Sequence, residues 1–295
     1  MSSITKVLQK LNPTMLVSKT IVTLTTIPSR LNNVNNKDTG IITCLDSLCQ
    51  QEADNYEVHI NIPTHYAMHG NIEYIIPDYI KKYEDVYPHF KIFRVKDIGP
   101  VTKIIPTIER VDDPDAILLV VDDDMVYSPL MVREHLIQRQ RNPGTAIGYA
   151  GLNTIRTPDN IFKDPRDRFA TVLPRTTRVA ILEHYKSASY NRGWFKDDIF
   201  SEFIGKTGSD DILISAYLGK HQIPKIVPHA EEDGIHLDYS SWERRVARPT
   251  FPIVRPCNHG TGGPEEGTRD PAAEDLYHRR FYTPKEWEAT GWLER

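Results

Sequence analysis

From Lys19 onward, apolar residues fall into short blocks whose period switches between two and about 3.6 residues. KTIVTLTTIP is rich in β-branched residues and stops at Pro28, which predicts a strand running into a loop. GIITCLDSLCQQ then places Ile41, Leu45, Leu48 and Cys49 on one helical face, and NYEVHINIP alternates Tyr56, Val58, Ile60 and Ile62 as a strand does until Pro63. A helix over PDYIKKYEDVY and a strand over FKIFRV follow. GPVTKIIPTIERV carries Pro106 inside a helical pattern, so a kink or two short helices are expected. In AILLVVDDDMVY, Ala116–Tyr127, an unbroken apolar run predicts a strand buried on both faces, ending in three aspartates. Ser128 and Pro129 suit the N-cap and N1 positions of a helix over PLMVREHLIQRQ, which stops before Pro143-Gly144.

The second half is less regular. TAIGYAGLN alternates small and larger residues, PDNIFKDPRDRFATVLPRT is expected as an exposed excursion, and TRVAILEHYKSASYNRGWF supplies one or two strands. A capped helix over SDDILISAYLGKH precedes IPKIVPH, and beyond about Ser240 Pro, Gly and charge predominate. Strand and helix in alternation predict an α/β fold: one Rossmann-like domain, with a central mixed, mostly parallel sheet flanked by helices. The boundaries read as an N-terminal extension over 1–18, the domain over 19–240, divided into halves over 19–145 and 146–240, and a wrapping tail over 241–295.

Composition narrows the function classes. Of 295 residues, 39% are hydrophobic and 26% charged, which suits a globular core. A formal net charge of −4 speaks against coating a nucleic acid or a polybasic membrane contact, both of which need excess Lys and Arg. The three cysteines, Cys44, Cys49 and Cys257, form no CxxC pair, so neither a disulfide framework nor a thiolate zinc site is expected. No signal h-region and no run near the roughly 18 apolar residues of a membrane span occurs, and the expectation is a soluble, cytoplasmic protein.

Three aspartates at a strand end also suit a solvated turn in which one caps the next helix. In an α/β sheet, however, a buried strand delivers its last residues to the ligand-binding edge, where Asp122 and Asp124 are expected to project to the same side. Two carboxylates hold a hard divalent cation well when a diphosphate supplies further oxygens. Neither a Walker A sequence nor a strand-linked GxGxxG is present to cradle phosphate otherwise.

The apolar strand, the D-x-D with an acid between, and MVYSP before a helix resemble the metal-binding motif of GT-A glycosyltransferases; LTTIPSR and GPVTKIIPTIE fit the same pattern. Together, over about Lys19 to Lys225, they resemble a group of such enzymes found in bacteria, algae and large algal viruses. The resemblance implies transfer of a sugar from a nucleoside-diphosphate sugar, UDP by default, to a hydroxyl of a glycan or glycoconjugate. It implies Mn2+ or Mg2+ on Asp124, with Asp122 facing the ribose or supporting the metal. Thr25, Thr26, Pro28, Arg30, Lys103, Asp122 and Asp123 become candidates for the nucleotide sugar, against the alternatives of an ordinary strand exit and a solvated lysine.

Inversion needs a base for the acceptor hydroxyl. GSDDILISAYL offers Asp210 and Asp211 at a helix start, where N-capping by Ser209 or Asp210 is the structural alternative. The family pattern of an acid pair at a helix head points to Asp211 first and Asp210 second. ASYNRGWF resembles the segment lining sugar and acceptor, which makes Tyr190, Arg192 and Trp194 candidates, although KSAS stands where the group has glycines and core aromatics are the alternative. Among eleven histidines, His236, then His229 and His259, are candidates for a late metal ligand. Competing readings are a sugar nucleotidyltransferase, for which LTTIPSRLNNVNN lacks the glycine- and basic-rich phosphate loop, and a binding module without catalysis.

Overall fold

The computed structural model describes residues 19–32, 41–67, 70–156, 161–170, 176–197, 199 and 209–228, with the backbone alone at 154–156 and 161–170. The expected N-terminal extension, the tail from 241, Cys257, His229, His236 and His259 lie outside those residues. In chain order come β1 (Thr20–Thr25), α1 (Pro28–Leu31), α2 (Ile41–Cys49), β2 (Tyr56–Pro63), β3 (His65–Tyr66), β4 (Ile72–Glu73), α3 (Asp78–Val86) and β5 (Phe90–Val95). A 3-10 turn (Val101–Lys103), α4 (Ile105–Arg110), β6 (Ile117–Val120), α5 (Met131–Arg141), β7 (Ala146–Gly148), β8 (Ala150–Arg156) and β9 (Ile161–Ala170) follow. Then come β10 (Thr177–Arg178), β11 (Ile181–Leu182), β12 (Ala188–Asn191), α6 (Asp210–Lys220) and β13 (Lys225–Val227).

The central sheet has eight strands in the order β10-β13-β7-β12-β6-β1-β2-β5. Strands β6, β1, β2 and β5 are mutually parallel, and β13 is parallel to β7, so the sheet is mixed and mostly parallel, as expected. Strand β12 enters antiparallel between β6 and β7, with Ala188 opposite Val120 and Asn191 opposite Ile117. That reversal decides which of its flanking residues reach the carboxyl edge.

Alternation along each strand divides the core in two. Ile21, Leu118 and Val120 face Ile104, Ile108 and the α6 residues Leu213 and Tyr217. Val22, Leu24, Leu119 and Val121 face Leu45 of α2, Ile80 of α3 and Met131 of α5. Every residue from Ile117 to Val121 is buried. The doubly covered strand is what an apolar run without polar alternation requires, and each fully buried Leu contributes about 1.5–3 kcal/mol. Among the described residues, no helix is long and apolar enough to cross a membrane.

One local expectation is corrected, a second is made more specific and a third holds. Helix α5 begins at Met131 with Leu130 as its N-cap, two residues later than the Ser-Pro pair suggested. Gln51 reaches across from the end of α2 and accepts from the Val132 N–H at 3.1 Å while donating to the Ser128 carbonyl at 2.8 Å, so the cap comes from a distant side chain. The stretch expected as an excursion contains β9, which pairs with β8 in a separate sheet of order β11-β8-β9. Pro165 is tolerated there because β9 lies at the sheet edge and the register shifts between Leu152 and Thr154. Pro106 produces two short helices, since it occupies the first turn of α4, where no N–H partner is lost.

Candidate functional site

Parallel strands β1, β2 and β6 all end at one edge, and the chemistry-bearing residues collect there. Gly99, at φ 76°, turns the chain in a conformation that favours glycine. Its N–H is held by Asp97 Oδ1 at 2.9 Å, and the 3-10 turn that follows delivers Lys103. The Lys103 carbonyl is anchored from beneath by Thr23 Oγ1 at 2.5 Å and Asn61 Nδ2 at 3.2 Å, with Thr107 Oγ1 joined to the same pair. Polar side chains inside a sheet are stable only when satisfied in this way, and here they fix the lysine's backbone.

The Lys103 ammonium ion-pairs with Asp122 and lies 2.8 Å from Asp210 Oδ2, bridging the end of β6 to the start of α6. Burial opposes its charge, but Asp122, Asp210 and Asp211 outweigh that and keep it firmly protonated. Asp122 is pushed up by burial, with Asp210 and Asp211 adding to the effect against Lys103. The Asp122 main chain is clamped by Tyr127, whose hydroxyl accepts from the Asp122 N–H at 2.9 Å and lies 3.2 Å from the Tyr185 carbonyl.

Asp123 and Asp124 turn the other way. Both meet the Arg30 guanidinium, Asp124 at 3.0 Å, so Asp122 and Asp124 do not share a partner as the strand alternation suggested. The reason is that β6 ends at Val120 and the chain turns through Asp123 and Asp124, which breaks the two-residue period. Burial, reinforced by Asp123, raises the Asp124 carboxyl to about 6 despite Arg30. Oδ2 of Asp123 is buried without a hydrogen-bond partner among the described residues.

On α6, Ser209 occupies the N-cap without a side-chain capping bond, and Asp210 and Asp211 lie in the first turn. Asp210 Oδ2 lies 2.6 Å from His184 Nδ1, and Asp211 Oδ1 accepts from the His184 N–H at 2.9 Å. His184 Nε2 meets the Tyr190 hydroxyl at 2.8 Å. Burial would raise Asp210, but Lys103 and His184 hold it well below the usual carboxylate range. Burial also opposes charge on His184, yet its polar partners hold its protons well above the usual imidazole range. Tyr190 is itself pushed up by burial and stays neutral near pH 7, so the two carboxylates supply that effect.

His184, Asp210 and Asp211 place three possible ligand atoms within 4.8 Å of one another. Lys103 and the His184 N–H groups already neutralise this cluster, and it is an ion network as it stands. Two neighbouring networks, Arg30 with Asp123 and Asp124, and Lys103 and His184 with Asp122, Asp210 and Asp211, together hold five carboxylates against three cations, one excess negative charge in each. The excess charge of two, the raised Asp124 and the orphaned Asp123 oxygen fit a divalent cation at the turn.

Other expected residues divide. Thr25 donates to the Asn61 carbonyl at 2.7 Å, and Thr26 Oγ1 is buried without a hydrogen-bond partner among the described residues while its carbonyl accepts from Tyr74 at 3.1 Å. Pro28 opens α1, which carries Arg30. Tyr190 is fully buried and reaches the cluster only through His184. Arg192 and Trp194 do not join the cluster, because β12 runs antiparallel to β6 and carries them to the opposite edge. There the Arg192 N–H donates to the Ala116 carbonyl, and its guanidinium to those of Val111, Phe195 and Ile108. Trp194 packs beside the first core under Arg139.

The sequence reading missed His184, Asn61, Thr107 and Tyr127. Asn61 stands with Glu57 and His59 on the polar alternation of β2, where nothing in the sequence marks it as buried. Lone His184 carried no signal either.

No family model matches the sequence, and no curated protein matches it. Among solved structures the chain is similar to TarS 1-349 of S. aureus, at 14% identity over 78% of this chain and 64% of that one, with a TM-score of 0.44. The same protein in complex with UDP-GlcNAc matches at 15% identity over 71% and 55%, TM-score 0.44. A 4-diphosphocytidyl-2C-methyl-D-erythritol synthase from Anaerococcus prevotii DSM 20548 matches at 14% identity over 80% and 100%, TM-score 0.48. The chain thus spans less than two thirds of the TarS structures. With every TM-score below 0.5, these likenesses carry nothing about the chemistry of the site, which stands on its own residues.

Proposed function

We propose that the protein is a metal-dependent glycosyltransferase of the GT-A type, moving a sugar from a nucleoside-diphosphate sugar to a hydroxyl of a glycan or glycoconjugate, with inversion. The observation that carries the reading is the Lys103 bridge between Asp122 and Asp210. It ties an acidic turn suited to a cation and diphosphate to an acid pair suited to proton abstraction, at the edge where α/β sheets bind ligands. UDP is the favoured nucleotide.

Asp124, with the unpartnered Oδ2 of Asp123, would hold Mn2+ or Mg2+, supported by Asp122. When bound, the cation neutralises the diphosphate leaving group. Arg30, now on Asp123 and Asp124, is the nearest guanidinium for phosphate oxygens, and Lys103 supplies a second fixed positive charge. Thr25 and Thr26 line the β1 exit beside them, the nucleoside side of the site. Asp211 is the better proton acceptor of the pair, because Asp210 is tied to both Lys103 and His184 while Asp211 meets His184 alone. As the new bond to the acceptor oxygen forms, the hydroxyl proton passes to Asp211 and the electrons of the broken bond pass to the diphosphate.

The test is release of nucleoside diphosphate from a panel of sugar donors, with Mn2+ and an acceptor mixture. The expected result is metal-dependent release from one donor class, abolished in Asp211→Asn with donor binding retained. Pyrophosphate release from a nucleoside triphosphate and a sugar phosphate would instead make the protein a nucleotidyltransferase, and donor binding without turnover would make it a binding module.

A further inference from the structure

We infer that His184 is a positioning residue for Asp211: its main-chain N–H and Nδ1 both engage Oδ1 of that carboxylate, at 2.9 Å each, and leave the second oxygen to face the acceptor. The inference rests on the glycosyltransferase reading above and deepens it. Four features of the geometry support it.

His184 is wholly buried, so neither its contacts nor its ring orientation are averaged by solvent. The ring is gripped at both nitrogens, by Asp210 at 2.6 Å on Nδ1 and by Tyr190 at 2.8 Å on Nε2, which leaves it no rotation that keeps both contacts. Its backbone sits in a 3-10 turn (His184–Lys186) closed by Ser187 at φ 75°, a conformation a non-glycine residue rarely adopts. Ser187 is held there by the buried His135, whose Nε2 lies 2.8 Å from its hydroxyl, and the Ser187 N–H returns to the His184 carbonyl at 2.8 Å. Finally, antiparallel β12 is what brings this turn to the carboxyl end of β6, since Ala188 lies opposite Val120. The turn, the strand reversal and the two-sided grip all converge on one carboxylate oxygen of Asp211.

The charged and titratable groups facing His184 are Asp210 and Asp211 from α6 and Tyr190 from β12, with Lys103 beyond Asp210. Replacing His184 by Gln removes the positive charge and the Nδ1 contact while the main-chain N–H to Asp211 Oδ1 stays.

The experiment has two parts on the full chain. Nitrogen-15 histidine spectra of metal-free protein at pH 7.5, with the resonance assigned by its loss in His184→Gln, are expected to show both ring nitrogens protonated. Kinetics of the donor found above are expected to show kcat reduced about 100-fold in His184→Gln, the effect of a misplaced catalytic group. The donor KM should stay within twofold, which separates a misplaced base from a general loss of structure. Tyr190→Phe, which removes only the hydroxyl brace, is expected to fall between the two. A neutral His184 ring, or His184→Gln turning over with the wild-type kcat, overturns the positioning role and leaves the transferase reading intact. Failure of the wild type to turn over any donor sinks the transferase reading, and this inference with it.

Discussion

The acidic turn should make the metal-free protein less stable at neutral pH than it is in mild acid, and Asp124 is the residue to change. Its carboxyl stands at about 6 against an ordinary 3.8, because burial and Asp123 disfavour its charge more than Arg30 restores it. The folded chain therefore binds the extra proton between about pH 4 and 6, and stability falls as pH rises through that window. At about 1.4 kcal/mol per pH unit, the difference sets an upper bound of about 3 kcal/mol of destabilisation above pH 6. Asp124→Asn keeps the shape and leaves Arg30 paired with Asp123, so it removes the penalty without orphaning the guanidinium. For a large domain about 2–4 °C accompanies each kcal/mol, so the metal-free variant should melt up to roughly 6–12 °C above wild type at pH 7.5. The two should converge below about pH 3, where Asp124 is protonated in both states. Thermal melts with Mn2+ complete the assay, because a cation bound to the folded state raises wild-type stability by mass action and should leave the variant unmoved. A metal-free variant that melts below wild type at pH 7.5, or equal Mn2+ shifts in both proteins, would refute the reasoning.

Three further outcomes follow from the same geometry. Lys103→Met should cost about 3–5 kcal/mol in urea unfolding by leaving buried carboxylates uncompensated, and adding Asp122→Asn should recover part of that; a loss below 1 kcal/mol would contradict the bridge. Gly99→Ala, placed at φ 76°, should lose about 1 kcal/mol by denaturant titration and weaken nucleotide binding through Lys103, whereas an unchanged dissociation constant would detach that turn from the site. Leu119→Ala should cost about 2–5 kcal/mol in the same titration, because Leu119 is fully buried on the doubly covered β6; a cost under 1 kcal/mol would mean the second core is loosely packed.

Where hydrophobic period alone decides structure, the chain was legible. Ile41 to Cys49, Tyr56 to Pro63 and Ile117 to Val120 form the elements their patterns predict, because each presents its apolar residues to one or both cores. The acidic turn and the aspartate pair were legible as charges at element ends. Their partners were not. Arg30, Lys103 and His184 are brought to those acids by tertiary contacts spanning 93, 19 and 26 positions, which no local spacing encodes. Arg192 and Trp194 show the converse: adjacent in sequence to Tyr190, they sit at the opposite edge because β12 runs antiparallel, a fact of sheet order that the residues themselves do not carry. The cap of α5 went to Gln51 for the same reason, since a side chain 81 positions away replaced the local one.

The central claim is that the three aspartates at the end of β6 hold a cation and a nucleoside diphosphate. Calorimetric titration of UDP, GDP, dTDP and CMP, each with and without Mn2+, into wild type and Asp124→Ala tests it most directly. The account predicts metal-dependent binding of one nucleoside diphosphate, UDP first, that disappears in the folded variant. No binding of any nucleotide to wild type, or binding indifferent to both metal and Asp124, would return the three acids to the status of a charged turn and contradict the account.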